Sequence, residues 1–171
     1  MNEHQAHEHG THEHETYDKL IGLLDERGAA YRIIEHEPEG ATEAVSAMRG
    51  NRLEQAAKCI VVMVKTGKKT KRYVLAVVPG DRRVDLGAVK ALLGGGYAGF
   101  ATPEVAERLA RSVSGTILPF SFDPELELVV DPALLEEDEI FFNAARLDRS
   151  LALRTADYVA IAEPRTAPIA A

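Results

Sequence analysis

The spacing of hydrophobic residues predicts a series of short helices along the chain. Near the start, apolar residues recur at i, i+3, i+4 and i+7 between Thr16, a candidate N-cap, and Gly28, a candidate stop. Thr102 and Thr155 are candidate N-caps for two later helices, and Pro103 suits the first turn of one of them. The further helices are predicted over residues 43–49, 86–93, 103–111 and 155–161.

Alternating and β-branched runs predict strands between these helices. The strongest run, KCIVVMVK at residues 58–65, is followed through Gly67 by RYVLAVV at 72–78, which predicts a β-hairpin. The predicted strands cover residues 31–36, 58–65, 72–78, 97–100, 117–122, 126–130, 139–143 and 150–154. Because helices and strands mix without regular βαβ alternation, we expect one α+β domain, with a mixed, largely antiparallel sheet or barrel flanked by helices.

The two ends of the chain differ from this domain in composition. Residues 1–15 hold five of the six histidines, interleaved with glutamates, and this polar segment predicts a disordered tail without a catalytic role. A loose metal-handling function of the histidines is the alternative interpretation. The domain itself is expected over residues 16–163, with a C-terminal tail over residues 164–171.

Composition narrows the class of protein. The chain has 171 residues, and its single cysteine excludes an internal disulfide framework. No apolar run reaches the ~18 residues of a membrane span, and the polar N-terminus does not resemble a signal peptide. We therefore expect a cytoplasmic protein without a membrane partner.

Charge is distributed unevenly around a net value of −7. Between Arg49 and Lys90 there are eleven basic and three acidic residues, so this segment carries +8 and the remainder −15. Such asymmetry indicates a polyanionic partner for one face. A solvated hairpin whose lysines discourage edge pairing explains the same pattern, and composition leaves both interpretations open.

Few residues are available for catalysis. The chain lacks nucleotide-binding, zinc-protease and serine-hydrolase motifs, and outside the tail the only histidine is His36. Cys59 lies inside the strongest strand, where a buried hydrophobic role is expected. Lys58 opens that strand, whose two faces are otherwise apolar, so its ammonium group needs a partner or a pocket mouth. The segment 115–119 (GTILP) predicts a loop that presents backbone groups to a ligand.

Three stretches make residues 17–163 resemble the YbaK/prolyl-tRNA synthetase editing-domain superfamily of free-standing aminoacyl-tRNA deacylases. They are HEPEGATEAV at 36–45, QAAKCIVV at 55–62 and the GxxxP loop at 115–119. The late stretch FFNAARLD at 141–148 resembles the YeaK-type branch in particular. Their order along nearly the whole domain carries the resemblance.

The resemblance implies a trans-editing hydrolase in which water attacks the ester at the 3′ end of a mischarged tRNA. It implies catalytic roles for Lys58, as a phosphate anchor, and for Gly115 and Thr116, whose amides would face the oxyanion. Substrate-binding roles are expected for Thr42, Pro119 and Asn143. The implied amino acid is small, with serine and threonine favoured and alanine next.

The same resemblance gives the basic hairpin a role as a phosphate-directed contact for the acceptor stem. The predicted tRNA-binding residues are Lys65, Lys68, Lys69, Lys71 and Arg72. We expect no cofactor and no metal; an aminoacyl-tRNA synthetase is a further candidate partner, and the oligomeric state stays open. The alternative is a non-catalytic module of the same fold that binds a nucleotide or the end of a tRNA.

Overall fold

A computed structural model describes residues 15–171 and contains two β-sheets with helices packed around them. The helices are α1 (residues 15–26), α2 (Thr42–Arg49), α3 (Leu86–Leu92), α4 (Pro103–Ala110) and α5 (Thr155–Ala162). The strands are β1 (Tyr31–Glu35), β2 (Ala57–Lys65), β3 (Lys71–Pro79), β4 (Tyr97–Phe100), β5 (Leu126–Val130), β6 (Glu139–Arg146), β7 (Arg149–Arg154) and β8 (Arg165–Thr166). Single 3₁₀ turns lie at Leu53–Gln55 and Leu134–Glu136.

The larger sheet has five strands in the order β4-β2-β3-β5-β8, and the smaller has three in the order β1-β7-β6. In the larger sheet β2 pairs antiparallel with both β3 and β4, whereas β3 with β5 and β5 with β8 are parallel. Both pairings of the smaller sheet are antiparallel. The predicted α+β class with a mixed, largely antiparallel sheet is confirmed.

Strand β2 is buried on both faces, as its sequence predicts. Val61 packs into a core shared by the two sheets, α1, α4 and α5, while Val62 and Val64 pack into a second core beneath α3. Alternation along the strand therefore gives each face its own hydrophobic cluster. Lys58 lies at the start of this strand, outside both clusters.

Two predicted N-caps are wrong. Thr16 lies inside α1, and its hydroxyl donates to the carbonyl of Arg111 at 2.6 Å, which ties α1 to the end of α4. Thr155 is the first residue of α5 and Arg154 is the N-cap. Thr102 does cap α4, since its hydroxyl accepts from the amide of Val105.

The strand predicted over residues 117–122 is also wrong, because this segment is irregular. Pro119 has no amide proton for a ladder, and the hydroxyl of Ser121 donates to the carbonyl of Leu126. Leu118 and Phe120 are buried in the core shared by the two sheets. The apolar run thus reflects burial without strand pairing.

The two segments predicted as tails are described only in part. Of residues 1–15, all but residue 15 lie outside the described part of the chain. Residues 164–171 pack against the domain: they include β8, and the amide of Ile169, a buried residue, donates to Asp131 at 3.0 Å. Within residues 15–171, none of the helices combines the length and the hydropathy of a transmembrane span.

Candidate active site

A pocket of about 230 Å³ opens at the start of β2, beside α2 and β6. Four of the predicted site residues line it: Thr42, Lys58, Gly115 and Asn143. These residues come from four separate parts of the chain, so the fold brings together what the sequence distributes over about a hundred positions. Within residues 15–171, no cluster of three or more His, Cys, Asp or Glu side chains is arranged to hold a metal ion.

The Lys58 ammonium group lines the pocket without a protein partner. Within residues 15–171 it makes neither a hydrogen bond nor an ion pair. Burial lowers the pKa of Lys58, the charge of Arg83 lowers it further, and the carboxylate of Asp81 opposes both. A partly shielded, unpaired cation at a pocket is suited to bind an anionic group.

Two glycine-containing loops meet at the pocket wall. Gly115 has φ +89°, and a Cβ atom there would lie 2.9 Å from the Cα of Gly40. Any side chain at Gly115 would therefore need both an unfavourable backbone conformation and a displaced loop. The amide of Gly115 has no acceptor among residues 15–171, so a backbone donor is left for a ligand.

Asn143 holds these two loops together. Its Nδ2 group donates to the carbonyl of Glu39 at 2.8 Å and to that of Gly115 at 2.9 Å. Its Oδ1 atom accepts from the hydroxyl of Ser150 at 2.8 Å. Asn143 lines the pocket, and because both of its amide protons are engaged it has no donor left for a ligand, while it positions the two loops.

Two other predicted site residues do not line the pocket. The amide and the hydroxyl of Thr116 both donate to the carbonyl of Val113, so Thr116 offers no donor to an oxyanion. Pro119 is buried, and its carbonyl accepts from the hydroxyl of Tyr158 at 2.6 Å. Both residues shape the loop from within, whereas its exposed end is Gly115.

Thr42 and Cys59 also line the pocket. The Thr42 hydroxyl makes no hydrogen bond within residues 15–171, which leaves it available to a ligand. Burial raises the pKa of the Cys59 thiol well above its usual range. A thiol that stays protonated is a weak nucleophile, so Cys59 acts as part of the wall.

Sequence reasoning missed one charged residue of the pocket wall and the side chain that holds it. Arg49, at the end of α2, lines it and donates to Ser150, which in turn contacts His36 Nε2 at 2.7 Å. Arg49 appears in the sequence only as one of many basic residues, and Ser150 as one strand residue among others. No local pattern distinguishes either, because their connection spans about a hundred positions of the chain.

The basic hairpin lies at the other end of β2. Lys65 is paired with Lys71 beside the turn, seven residues from Lys58 and thus roughly 23 Å away at about 3.3 Å per residue. Lys65, Lys68, Lys69 and Lys71 are exposed. Arg72 is not free, because its Nε atom donates to Glu127 Oε2 at 2.8 Å in a bidentate ion pair.

Comparison with known proteins identifies the family. The profile described as aminoacyl-tRNA editing domain matches residues 36–161, a segment that includes every residue of the pocket wall. The chain belongs to the aminoacyl-tRNA editing domain family. The family predicted from the sequence is thereby confirmed.

Individual relatives agree with this assignment. The chain is 46% identical over 149 residues, 86% of its length and 89% of the relative's, to the multifunctional Ser/Thr-tRNA deacylase ProXp-y of Escherichia coli K12, and equally to that of strain O157:H7. A crystal structure of a hypothetical protein matches with a TM-score of 0.80 at 21% identity, covering 90% of this chain and 99% of that one. A crystal structure of a candidate trans-editing enzyme for prolyl tRNA synthetase matches with a TM-score of 0.74 at 22% identity, covering 91% of this chain and 97% of that one. At such identities the two structures establish the editing-domain fold alone.

Proposed function

We propose that the protein is an aminoacyl-tRNA deacylase that hydrolyses the ester of mischarged tRNA in trans. The observation that carries the proposal is the unpaired Lys58 ammonium beside the exposed backbone of Gly115 in one small pocket. The name of the Escherichia coli relative, a Ser/Thr-tRNA deacylase, supports the same reaction class.

The size of the pocket favours a small amino acid. At about 230 Å³ it lies below the roughly 300–1,000 Å³ of pockets that enclose drug-sized ligands. Serine and threonine are the favoured amino acids and alanine comes next. The free hydroxyl of Thr42 offers a hydrogen bond to a polar aminoacyl group.

Water is the nucleophile that the pocket leaves available. Cys59 stays a protonated thiol, and within residues 15–171 His36 is engaged at both ring nitrogens, with Glu37 and Ser150. The water oxygen bonds to the ester carbon, and the bond between that carbon and the ribose oxygen breaks. One proton of the water goes to the ribose oxygen and the other is released to solvent. The amino acid leaves as a carboxylate, and an adjacent ribose hydroxyl of the substrate positions the water.

The protein supplies charge and fixed donors to this reaction. Lys58 anchors the phosphate of the terminal adenosine, and the Gly115 amide faces the oxygen that becomes negative at the ester carbon. The amide of Thr116 has no such role, since it donates to Val113. Asn143 contributes by holding the Gly115 loop in place.

A panel of mischarged tRNAs tests the proposal. Purified protein is offered tRNAs carrying serine, threonine, alanine and, as the matched large control, phenylalanine. We expect deacylation of the first three and at least tenfold slower deacylation of the last, because steric exclusion from a small pocket costs more than one missing methylene. Binding without hydrolysis of any member would instead support a non-catalytic module that binds tRNA ends.

The proposed partners of the protein follow from this function. The acceptor end of mischarged tRNA is the substrate, and an aminoacyl-tRNA synthetase is a further proposed partner that would hand over mischarged product. The proposed place of action is the cytoplasm, where tRNA is charged. Co-purification of a synthetase with the tagged protein, against a tag-only control, tests the second partner.

A further inference from the structure

Arg49 is held in an unusual environment for an arginine. It lies in the last turn of α2 and lines the pocket together with Lys58. Its Nε atom donates to Asn51 Oδ1 at 2.9 Å, and its two terminal nitrogens donate to the hydroxyls of Ser150 and Ser46, each at 3.2 Å. All three acceptors are neutral, so none of them balances the guanidinium charge.

The other arginines of residues 15–171 are either ion-paired or exposed. Those with a carboxylate partner are Arg32, Arg52, Arg72, Arg111, Arg146 and Arg149. Those on the open surface are Arg27, Arg82, Arg83, Arg108, Arg154 and Arg165. Within this part of the chain, Arg49 is thus the arginine that is shielded from water and lacks a counter-charge.

Shielding a charge from water without a counter-charge costs free energy, and for Arg49 this cost appears as a lowered pKa. Burial lowers the pKa of Arg49 to about 10, which still leaves the side chain protonated at neutral pH. A guanidinium group has five N–H donors, and one bond on each nitrogen leaves one donor unused on each terminal nitrogen. The unbalanced charge of Arg49 and its unused N–H donors together favour the binding of an anionic oxygen from outside the chain.

We propose that Arg49 forms an anion subsite in the pocket, next to Lys58, and contacts a negatively charged oxygen of the substrate. The proposal rests on the proposed function of this pocket. Two parts of the substrate share the required chemistry: the phosphate of the terminal nucleotide, and the ester carbon, whose oxygen becomes negative during attack and remains so in the carboxylate product.

The subsite is connected to the rest of the pocket wall. Ser150 accepts from Arg49 and donates to Asn143, whose Nδ2 group holds the carbonyl of Gly115. An anion on Arg49 therefore lies two hydrogen-bonded side chains from the loop that carries the free amide. Through these hydrogen bonds, an anion bound at Arg49 can affect turnover as well as binding.

Spectroscopy of the wild-type protein tests the subsite without any variant. The Nε–H of Arg49 is held by Asn51, so it is suited to observation in ¹H–¹⁵N spectra. The protein is titrated with 5′-AMP, which supplies the phosphate, with L-serine, which supplies the carboxylate, and with adenosine, which supplies neither. A saturable shift with 5′-AMP or L-serine, absent with adenosine, supports the subsite and identifies its source. No shift with either anion, or an equal shift with adenosine, overturns it.

Variants extend the test to catalysis. Arg49→Met removes the charge, Arg49→Lys keeps it, and Arg108→Met is the matched control, since Arg108 also lies in the last turn of an eight-residue helix but is exposed. We expect kcat/KM to fall about 100-fold in Arg49→Met, with partial recovery in Arg49→Lys and no change in Arg108→Met. A folded Arg49→Met variant with wild-type kcat/KM overturns the proposal, and if this variant fails to fold the wild-type titration decides.

Failure of the subsite and failure of the proposed function give different results. If the wild-type protein deacylates tRNA but the Arg49 resonance shifts with neither anion, only the subsite proposal is overturned. A wild-type protein that deacylates no mischarged tRNA, although the Arg49 resonance shifts, overturns the proposed function and leaves an anion-binding pocket.

Discussion

The two ends of the β2–β3 hairpin are both basic, but they differ in what surrounds the charge. At the pocket end, Lys58 and nearby Arg49 are partly shielded, lack carboxylate partners within residues 15–171 and line a cavity. At the turn end, Lys68 and Lys69 are exposed to solvent and Arg72 is ion-paired with Glu127. Sequence reasoning weighted the turn end by its number of charges, whereas burial and pairing decide how strongly a charge acts on a ligand.

The largest effect is expected at the pocket end. Lys58→Ala should lower kcat/KM for deacylation by about 10²–10³-fold, because the pocket loses an unpaired positive charge. The melting temperature should hold, since Lys58 has no partner within residues 15–171 to lose. Lys90→Ala is the matched control, a half-buried lysine of α3 outside the pocket, and should retain full activity. Wild-type turnover by folded Lys58→Ala would remove the distinction between the two ends.

A smaller loss is expected when the pocket wall is loosened without removing a charge. Asn143→Ala breaks the link between Glu39 and Gly115 and should lower the free energy of unfolding by about 1–3 kcal/mol, because the buried Asn143 side chain loses its hydrogen bonds to the two carbonyls. Deacylation should fall by a similar factor for serine, threonine and alanine. Thermal unfolding and the tRNA panel measure the two effects. A loss confined to the hydroxylated amino acids would instead assign Asn143 to direct substrate contact.

The turn end should act on binding alone. In the double variant Lys68→Ala, Lys69→Ala the apparent KM for tRNA should rise and its dependence on log salt should flatten by roughly one to two units. The maximal rate should hold, because these side chains would contribute equally to ground state and transition state. A salt series of kcat and KM measures this. An unchanged slope would leave the lysines with a solubility role only.

The smallest effect concerns the pH profile of the pocket end. Lys58 must be protonated to hold a phosphate, so KM should rise as the pH rises through the lowered pKa of Lys58, earlier than for an ordinary lysine. Arg83→Met removes a cation that lowers this pKa and should move the rise to higher pH. Asp81→Asn removes an anion that raises it and should move the rise to lower pH. Profiles corrected for uncatalysed ester hydrolysis measure both shifts; shifts in the same direction would argue against Lys58 as the titrating group.

Much of the fold could be predicted from local patterns. The β2–β3 hairpin, the α4 cap at Thr102 and the strand at Tyr97–Phe100 follow from alternation, turn chemistry and capping, which act over a few residues. The segment 117–122 could not, because its apolar residues are buried by contact with a distant core rather than by pairing in a ladder. The N-cap predicted at Thr16 was wrong for a similar reason, because its hydroxyl donates to the distant carbonyl of Arg111.

The site could be predicted only where a residue type was out of place. Lys58 is conspicuous as a cation in an apolar strand, and Gly115 as part of a bracketed loop. Arg49 and the linking role of Asn143 depend on contacts with Ser150 and Gly115 that no local window contains. Thr116 and Pro119 do not line the pocket, because a motif fixes the position of a loop without fixing which of its atoms face outward.

The most direct test compares both ends on a substrate that can reach only one of them. A CCA trinucleotide carrying serine at its 3′ end contains the ester and terminal phosphates but no acceptor stem. We expect the wild-type protein and the Lys68→Ala, Lys69→Ala variant to hydrolyse it at equal kcat/KM, and Lys58→Ala to hydrolyse it about 10²–10³-fold more slowly. A hairpin variant that is slower than wild type on this trinucleotide, or a Lys58→Ala variant that matches wild type, would contradict the assignment of ester hydrolysis to the pocket end.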